Sequence, residues 1–267
     1  MHSPATPSGL IGVFDSGVGG LSVLRALRAR LPGTPLLYLA DSGYAPYGDR
    51  TVEDVTQRSA RVIEHLLQQG ACMVVIACNT ATTLAIGDLR ARWPQVPIVG
   101  VEPGVKPAVL RTRNRRIGVL ATRRTIASER LQRLLQDHAA ACEVTLQACP
   151  GLVDAIESGM LDDEGMFGLL GEFCAPLQAA QVDTVVLGCT HYPFVADLIR
   201  RWMGPDVQLV DTADAVAERT AAVWQGLATA PSGPVSTRLQ TTGEPVLLSR
   251  LAARWLGIEQ PAERVCL

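Results

Sequence analysis

No two cysteines in this chain are spaced C-x-x-C, and their total of seven is odd. That excludes a compact disulfide framework and the paired-ligand pattern of a structural zinc site, so the thiols read as reduced, in a cytoplasmic enzyme. Long apolar runs are also missing: the longest are strand-length, far short of the ~20 residues of a spanning helix. Met1 to Gly9 (MHSPATPSG) has no apolar stretch of signal-peptide length and reads as a frayed leader. Cys266 lies one residue from the end and makes no prenylation box. Charge of one sign is lacking as well: 24 basic against 26 acidic residues leave a net charge of −2, which points to neither nucleic acid nor a membrane surface. A soluble, cytoplasmic protein is expected.

What is present suits a globular enzyme. The 267 residues are 48% hydrophobic and 19% charged, enough for one large or two ordinary domains with a substantial core. A strand over Leu10–Phe14 runs into a glycine-rich turn, Asp15-Ser16-Gly17-Val18-Gly19-Gly20. A helix follows with Leu21, Leu24, Leu27 and Leu31 at helical spacing, stopped by Pro32-Gly33. Pro35–Ala40 predicts a second strand, followed by a loop holding Pro46-Tyr47-Gly48. Further on come a helix over about 51–69, a strand over 72–77, a helix over 81–92 and a strand over 98–101. Strands alternating with helices predict a parallel sheet covered by helices on both faces.

The second half repeats this plan. Ile117-Gly118-Val119-Leu120 answers Ile11-Gly12-Val13-Phe14, and Ile98 lies 20 residues beyond Cys78 just as Leu209 lies 20 beyond Cys189. The expected architecture is therefore α/β: two pseudo-symmetric lobes, each a mostly parallel sheet flanked by helices, with the active site in the cleft between them. Residues 1–103 with 214–267 form the first lobe and 104–213 the second. The tail, a helix after Asp214, a loop over Ala230–Pro234, a strand over 235–241 and a helix over 245–256, is expected to pack on the first lobe.

Two apolar strands end in a thiol, Val74-Val75-Ile76-Ala77-Cys78-Asn79-Thr80 and Val185-Val186-Leu187-Gly188-Cys189-Thr190-His191. Ligands bind at the carboxyl ends of strands in open α/β sheets, and a helix N-terminus favours a thiolate. A lone buried cysteine is usually inert, and Cys72, Cys142, Cys149 and Cys174 are read so. Two in equivalent places read as an acid/base pair. His191 is read as orienting or protonating Cys189, the alternative being a structural histidine; zinc at Cys189 and His191 is discounted because C-x-H lacks a metal-ligand pattern. His65 is expected to face solvent. The turn at Asp15 and Ser16 fits either a tight strand-to-helix connection or an anchor for a substrate ammonium or carboxylate; its G-x-G lacks the third glycine of a dinucleotide fingerprint. The cluster Arg111–Arg116 reads as a solvated loop.

In the order Asp-Ser-Gly-x-Gly-Gly, Ala-Asp-x-x-x-x-Pro-Tyr-Gly, Ala-Cys-Asn-Thr-Ala-Thr and Gly-Cys-Thr-His-Tyr-Pro, these motifs closely resemble those of the glutamate racemases, within the aspartate/glutamate racemase family. The resemblance runs from about Leu10 to about Thr220. It implies a cofactor-independent, metal-free isomerase that supplies D-glutamate for peptidoglycan. It implies that Cys78 deprotonates D-glutamate and Cys189 L-glutamate, assisted by Asp15, His191 and Glu157. Asp15, Ser16, Pro46, Tyr47, Gly48, Asn79, Thr80, Thr122, Thr125, Thr190 and His191 match substrate-binding positions. It also implies a homodimer, and some relatives are partnered by gyrase or activated by a cell-wall precursor, neither of which these residues identify. Aspartate or hydantoin racemisation and non-catalytic amino-acid binding stand as rival readings.

Overall fold

A computed structural model describes residues 9–161, 164–227 and 236–267. The leader through residue 8 and the Ala230–Pro234 loop expected from sequence lie outside the described residues. In chain order the elements are β1 (Leu10–Asp15), α1 (Leu21–Arg30), β2 (Leu36–Ala40), α2 (Val52–Gln68), β3 (Ala71–Ile76), α3 (Asn79–Arg92), β4 (Ile98–Gly100), α4 (Val105–Arg111), β5 (Arg116–Ala121), α5 (Arg123–Ile126) and α6 (Glu129–His138). They continue with β6 (Glu143–Ala148), α7 (Leu152–Glu157), α8 (Glu164–Ala179), β7 (Thr184–Leu187), α9 (Ala196–Met203), β8 (Gln208–Val210), α10 (Ala213–Gln225), β9 (Thr237–Thr241), α11 (Pro245–Leu256) and β10 (Glu263–Arg264).

Two compact units result. The first holds residues 1–45, 51–101 and 213–267, the second 46–50 and 102–212. The lobe expected over 1–103 included Pro46–Arg50; the structure gives this segment to the second unit, where Gly48 lies hard against Thr122. The first unit carries a six-stranded sheet ordered β10-β9-β2-β1-β3-β4, the second a four-stranded sheet ordered β6-β5-β7-β8, and every pairing is parallel. The order β2-β1-β3-β4 in one sheet matches β6-β5-β7-β8 in the other, so the repeat of plan legible in the sequence is a repeat of strand order. The tail joins the first sheet: β9 pairs with β2 from Leu36↔Thr237 to Ala40↔Thr241, and α10 packs on α1.

Local chemistry accounts for the elements. All six residues of β1 are buried, because a central parallel strand is covered on both faces and so reads as a continuous apolar run. The Thr51 side chain accepts from Asp54 N at the start of α2, with Glu53 and Asp54 in the first turn opposing the helix dipole. Ser128 caps α6 in the same way through Leu131 N. The second core centres on Ile117, Val119, Ala121, Val186 and Val210, with Ala108 of α4 packed against them.

Two expectations change. His65 does not face solvent freely: it is half-buried on α2, and its Nε2 lies 2.8 Å from Gln240 Oε1 on β9. The sequence shows only its polar neighbours on the helix, whereas its partner comes from 175 residues away. The basic loop at 111–116 is anchored more than solvated. The Asp183 carboxylate accepts from Thr112 Oγ1 (2.6 Å), Arg113 N (2.7 Å), Asn114 N (2.8 Å) and Thr184 Oγ1 (3.0 Å). Burial alone would raise its pKa, but these bonds hold it below the usual carboxylate value.

Candidate active site

In the first unit, the expected residues gather at the carboxyl ends of β1 and β3, which are neighbours in the sheet. Asp15 closes β1 fully buried; its Oδ1 accepts from Gly17 N at 2.9 Å and from Ser16 Oγ at 3.4 Å. Beyond β3, Ala77 N still pairs with Phe14 O, and Cys78 then takes extended backbone angles as the N-cap of α3. The helix begins at Asn79, two residues earlier than periodicity predicts, because the sulfur itself caps it: Ala81 N donates to Cys78 Sγ at 3.4 Å. A thiolate here would lie at a helix N-terminus, where the backbone dipoles favour negative charge. The Cys78 thiol donates to Ser16 Oγ at 3.5 Å. Asn79 and Thr80 are buried in the first turn of α3, and Asn79 Oδ1 has no hydrogen-bond partner among the described residues. A buried acceptor left in that state suits a donor such as a substrate ammonium.

In the second unit, Cys189 lies two residues beyond β7, as Cys78 does beyond β3, and is 6% exposed. Its Sγ is 3.7 Å from His191 Nδ1, and His191 Nε2 donates to Glu157 Oε1 at 2.6 Å. Because the carboxylate can only accept, the Nε2 proton is fixed there and Nδ1 is left facing the sulfur. Burial of the ring works to lower its pKa, but the bonds to Cys189 and Glu157 outweigh this and hold it well above the usual histidine value. Thiol, imidazole and carboxylate thus form a line along which a proton on the ring can stabilise a thiolate. Glu157 is the last residue of α7.

The remaining expected residues of this unit gather near the carboxyl end of β5. Thr122 caps α5, accepting from Thr125 N at 3.3 Å while its hydroxyl donates to Thr125 Oγ1 at 3.1 Å. Tyr47 is 1% exposed in a short 3-10 turn after Pro46, and a Cβ on Gly48 would fall 2.9 Å from Thr122 Cβ, so only glycine allows the turn to lie against the start of α5. Arg123 adds an exposed ion pair to Asp49 at 3.4 Å. Thr190 is buried between Cys189 and His191.

Two further buried cysteines are held as neutral thiols. Burial lifts the Cys174 thiol to about 11 and pushes that of Cys149 higher still, beside the Tyr192 hydroxyl, so both remain protonated thiols. Among the described residues, no cluster of three or more His, Cys, Asp or Glu could hold a metal ion, and no helix is long and apolar enough to cross a membrane.

One feature of the site escaped the sequence reading. Asp41, present in the Ala-Asp-x-x-x-x-Pro-Tyr-Gly motif with no role attached, is fully buried and grips the Arg58 guanidinium in a two-pronged ion pair, 2.8 and 2.6 Å. Thr242 Oγ1 donates to the same carboxylate at 2.7 Å.

A family model described as Asp/Glu/Hydantoin racemase matches residues 21–220. The chain belongs to that family. Among its relatives, the glutamate racemase of Pseudomonas aeruginosa is 46% identical over 248 residues, covering 92% of this chain and 94% of the relative. That of Herpetosiphon aurantiacus is 49% identical over 210 residues, covering 79% and 82%. Among solved structures, the glutamate racemase isoform RacE1 of Bacillus anthracis superposes with a TM-score of 0.87 at 32% identity, over 98% of both chains. The Escherichia coli glutamate racemase, solved with L-glutamate and the activator UDP-MurNAc-ala, gives 0.88 at 29% identity over 97% of this chain and 99% of its own. As a member of this racemase family the chain is an isomerase with the two-sheet α/β architecture.

Proposed function

We propose that this chain interconverts L- and D-glutamate by proton transfer at Cα, with Cys78 and Cys189 as the two acid/base groups. The observation that carries the reading is the pair of buried thiols at equivalent strand ends, each furnished with a partner for its anionic form. For Cys78 that partner is the N-terminus of α3; for Cys189 it is the His191 ring, held by Glu157. The glutamate named in the relatives supplies the substrate.

Inverting a stereocentre requires removing the α-proton from one face and returning a proton to the other. A thiolate takes the proton while a thiol gives one, and the reverse reaction exchanges their roles. In the reading taken from the resemblance, Cys78 acts first on D-glutamate and Cys189 on L-glutamate. The α-carbon is a very weak acid, so the carbanion needs hydrogen-bond donors at the carboxylate and exclusion of bulk water. Ser16, Asn79, Thr80, Thr122, Thr125 and Thr190 offer such donors, Tyr47 and Gly48 shape the wall with Pro46, and Asp15 offers a carboxylate to the ammonium. The reading involves no cofactor, and the one lysine of the sequence, Lys106, is exposed on α4. The same reading makes the protein a cytoplasmic homodimer whose D-glutamate goes to peptidoglycan.

The test is incubation with L-glutamate in D₂O, following optical activity and deuterium at Cα, with aspartate and a hydantoin run in parallel. Racemisation of glutamate with solvent deuterium appearing at Cα is the expected result. Turnover of aspartate alone, or binding of glutamate without exchange, would refute the assignment.

A further inference from the structure

Behind the Asp15–Gly20 turn stands a tyrosine that no motif includes. Tyr38, in the middle of β2 and paired with Val13 of β1 and Leu239 of β9, is fully buried. Its hydroxyl donates to Gly17 O at 2.6 Å. The amide N–H of that same glycine donates to Asp15 Oδ1, and the intervening residue, Ser16, carries the oxygen that meets the Cys78 thiol at 3.5 Å. The ring also sets the shape of the turn: a Cβ on Gly20 would lie 2.8 Å from Tyr38 Oη, 2.9 Å from its Cε2 and 2.7 Å from Asp15 Cβ. Glycine is required at 20 because Tyr38 and Asp15 already occupy that space, not because of backbone angles, which are helical there.

From this chain of contacts we propose that Tyr38 is a positioning residue for the proton transfer at Cys78, acting through Gly17 and Ser16. The inference rests on the racemase reading above and adds a part to it. A buried Gly17 carbonyl that lost its donor would either remain unsatisfied or turn to find another partner. Gly17 Cα joins that carbonyl to the Gly17 N–H and to the Ser16 peptide before it, so a shift of Gly17 toward another partner displaces Ser16 Oγ beside Cys78 and loosens the N–H bond to Asp15. Misplacement of a reacting group by about 1 Å is enough to cost on the order of a hundredfold in rate. Cys189 belongs to the other unit and has its own supports in His191 and Glu157, so the effect should be confined to one of the two thiols.

That confinement separates positioning from general loosening. The racemisation equilibrium constant is one by symmetry, so any variant must lower kcat/KM for both enantiomers by the same factor. The primary isotope effect is free of this constraint. When Tyr38→Phe slows only the transfer at Cys78, that step becomes more fully rate-limiting. The effect then rises with Cα-deuterated glutamate of the enantiomer that Cys78 deprotonates, and falls toward unity with the other. The expected result is a ten- to hundredfold loss of kcat/KM with isotope effects moving in opposite directions. Gly20→Ala reaches the same turn by steric pressure and should reproduce the split, which carries the test should Tyr38→Phe not fold. A kcat/KM within twofold of wild type, or isotope effects that change alike for both enantiomers, overturns the positioning role. Wild-type protein inert toward glutamate overturns the racemase reading itself, and the role of Tyr38 with it.

Discussion

Replacing Glu157 with glutamine removes one charge and almost no volume. The carboxylate side chain is 15% exposed and the His191 ring 1%, so solvent screens the pair little. Two unit charges near 4 Å attract by about 4 kcal/mol at an effective dielectric of 20, before desolvation is set against it. Measured hydrogen bonds to charged groups retain about 1.5–3 kcal/mol of that. Glutamine can still accept from Nε2, so the geometry survives while the charge assistance disappears. If the imidazolium is needed beside Cys189 in the transition state, kcat should fall by about ten- to a hundredfold. The His191 pKa should also drop, because a group that holds it above the usual histidine value has been taken away. The assay is kcat/KM for L-glutamate across pH. The limb marking loss of the ring proton should move to lower pH in Glu157→Gln, with the acid limb in place. A profile that only shrinks, with both limbs unmoved, would refute the idea that Glu157 acts through the charge on His191.

Cys78→Ser and Cys189→Ser should each abolish racemisation, since serine's hydroxyl is far too weak an acid for either role, whereas Cys174→Ser should lower the melting temperature but leave turnover of the folded protein nearly unchanged. Arg58→Met removes the two-pronged partner of the fully buried Asp41 carboxylate; urea unfolding should show a loss of about 3–5 kcal/mol, and a loss below about 1 kcal/mol would refute a structural role for the pair. Stability should also depend on pH through His191: its folded pKa is raised, so the folded state binds more protons between the unfolded value of about 6.5 and the folded one. The contribution is complete below about pH 6.5 and declines as pH rises through the folded pKa. His191→Asn should therefore narrow the difference in melting temperature between acid and alkaline buffers.

Much of this arrangement lies in short stretches of chain. β1, β3, β5 and β7 are short, mostly apolar runs with valine in each, set between helical patterns, and a buried parallel strand needs nothing more local than that. Pro245–Leu256 is bounded in the sequence by the proline at its first turn and the glycine after its last, and the helix observed has those limits. Cys78-Asn79-Thr80 and Cys189-Thr190-His191 are contiguous, so their place at a strand end could be read directly. Short helices such as α5 and α7 have too few residues for a periodic signal and went unseen.

Other features arise from strand order. Tyr38 meets Gly17 because β2 lies beside β1, and Ser16 meets Cys78 because β3 lies on β1's other side. His65 finds Gln240 across 175 residues, and Asp41 finds Thr242, only because the tail returns to pair β9 with β2. Glu157 reaches His191 from 34 residues away. Apolar patterning marks where a strand is but does not choose its neighbour, since any parallel partner satisfies the same backbone groups. The choice is made by the packing of the whole unit, and the partners of the polar side chains follow from it.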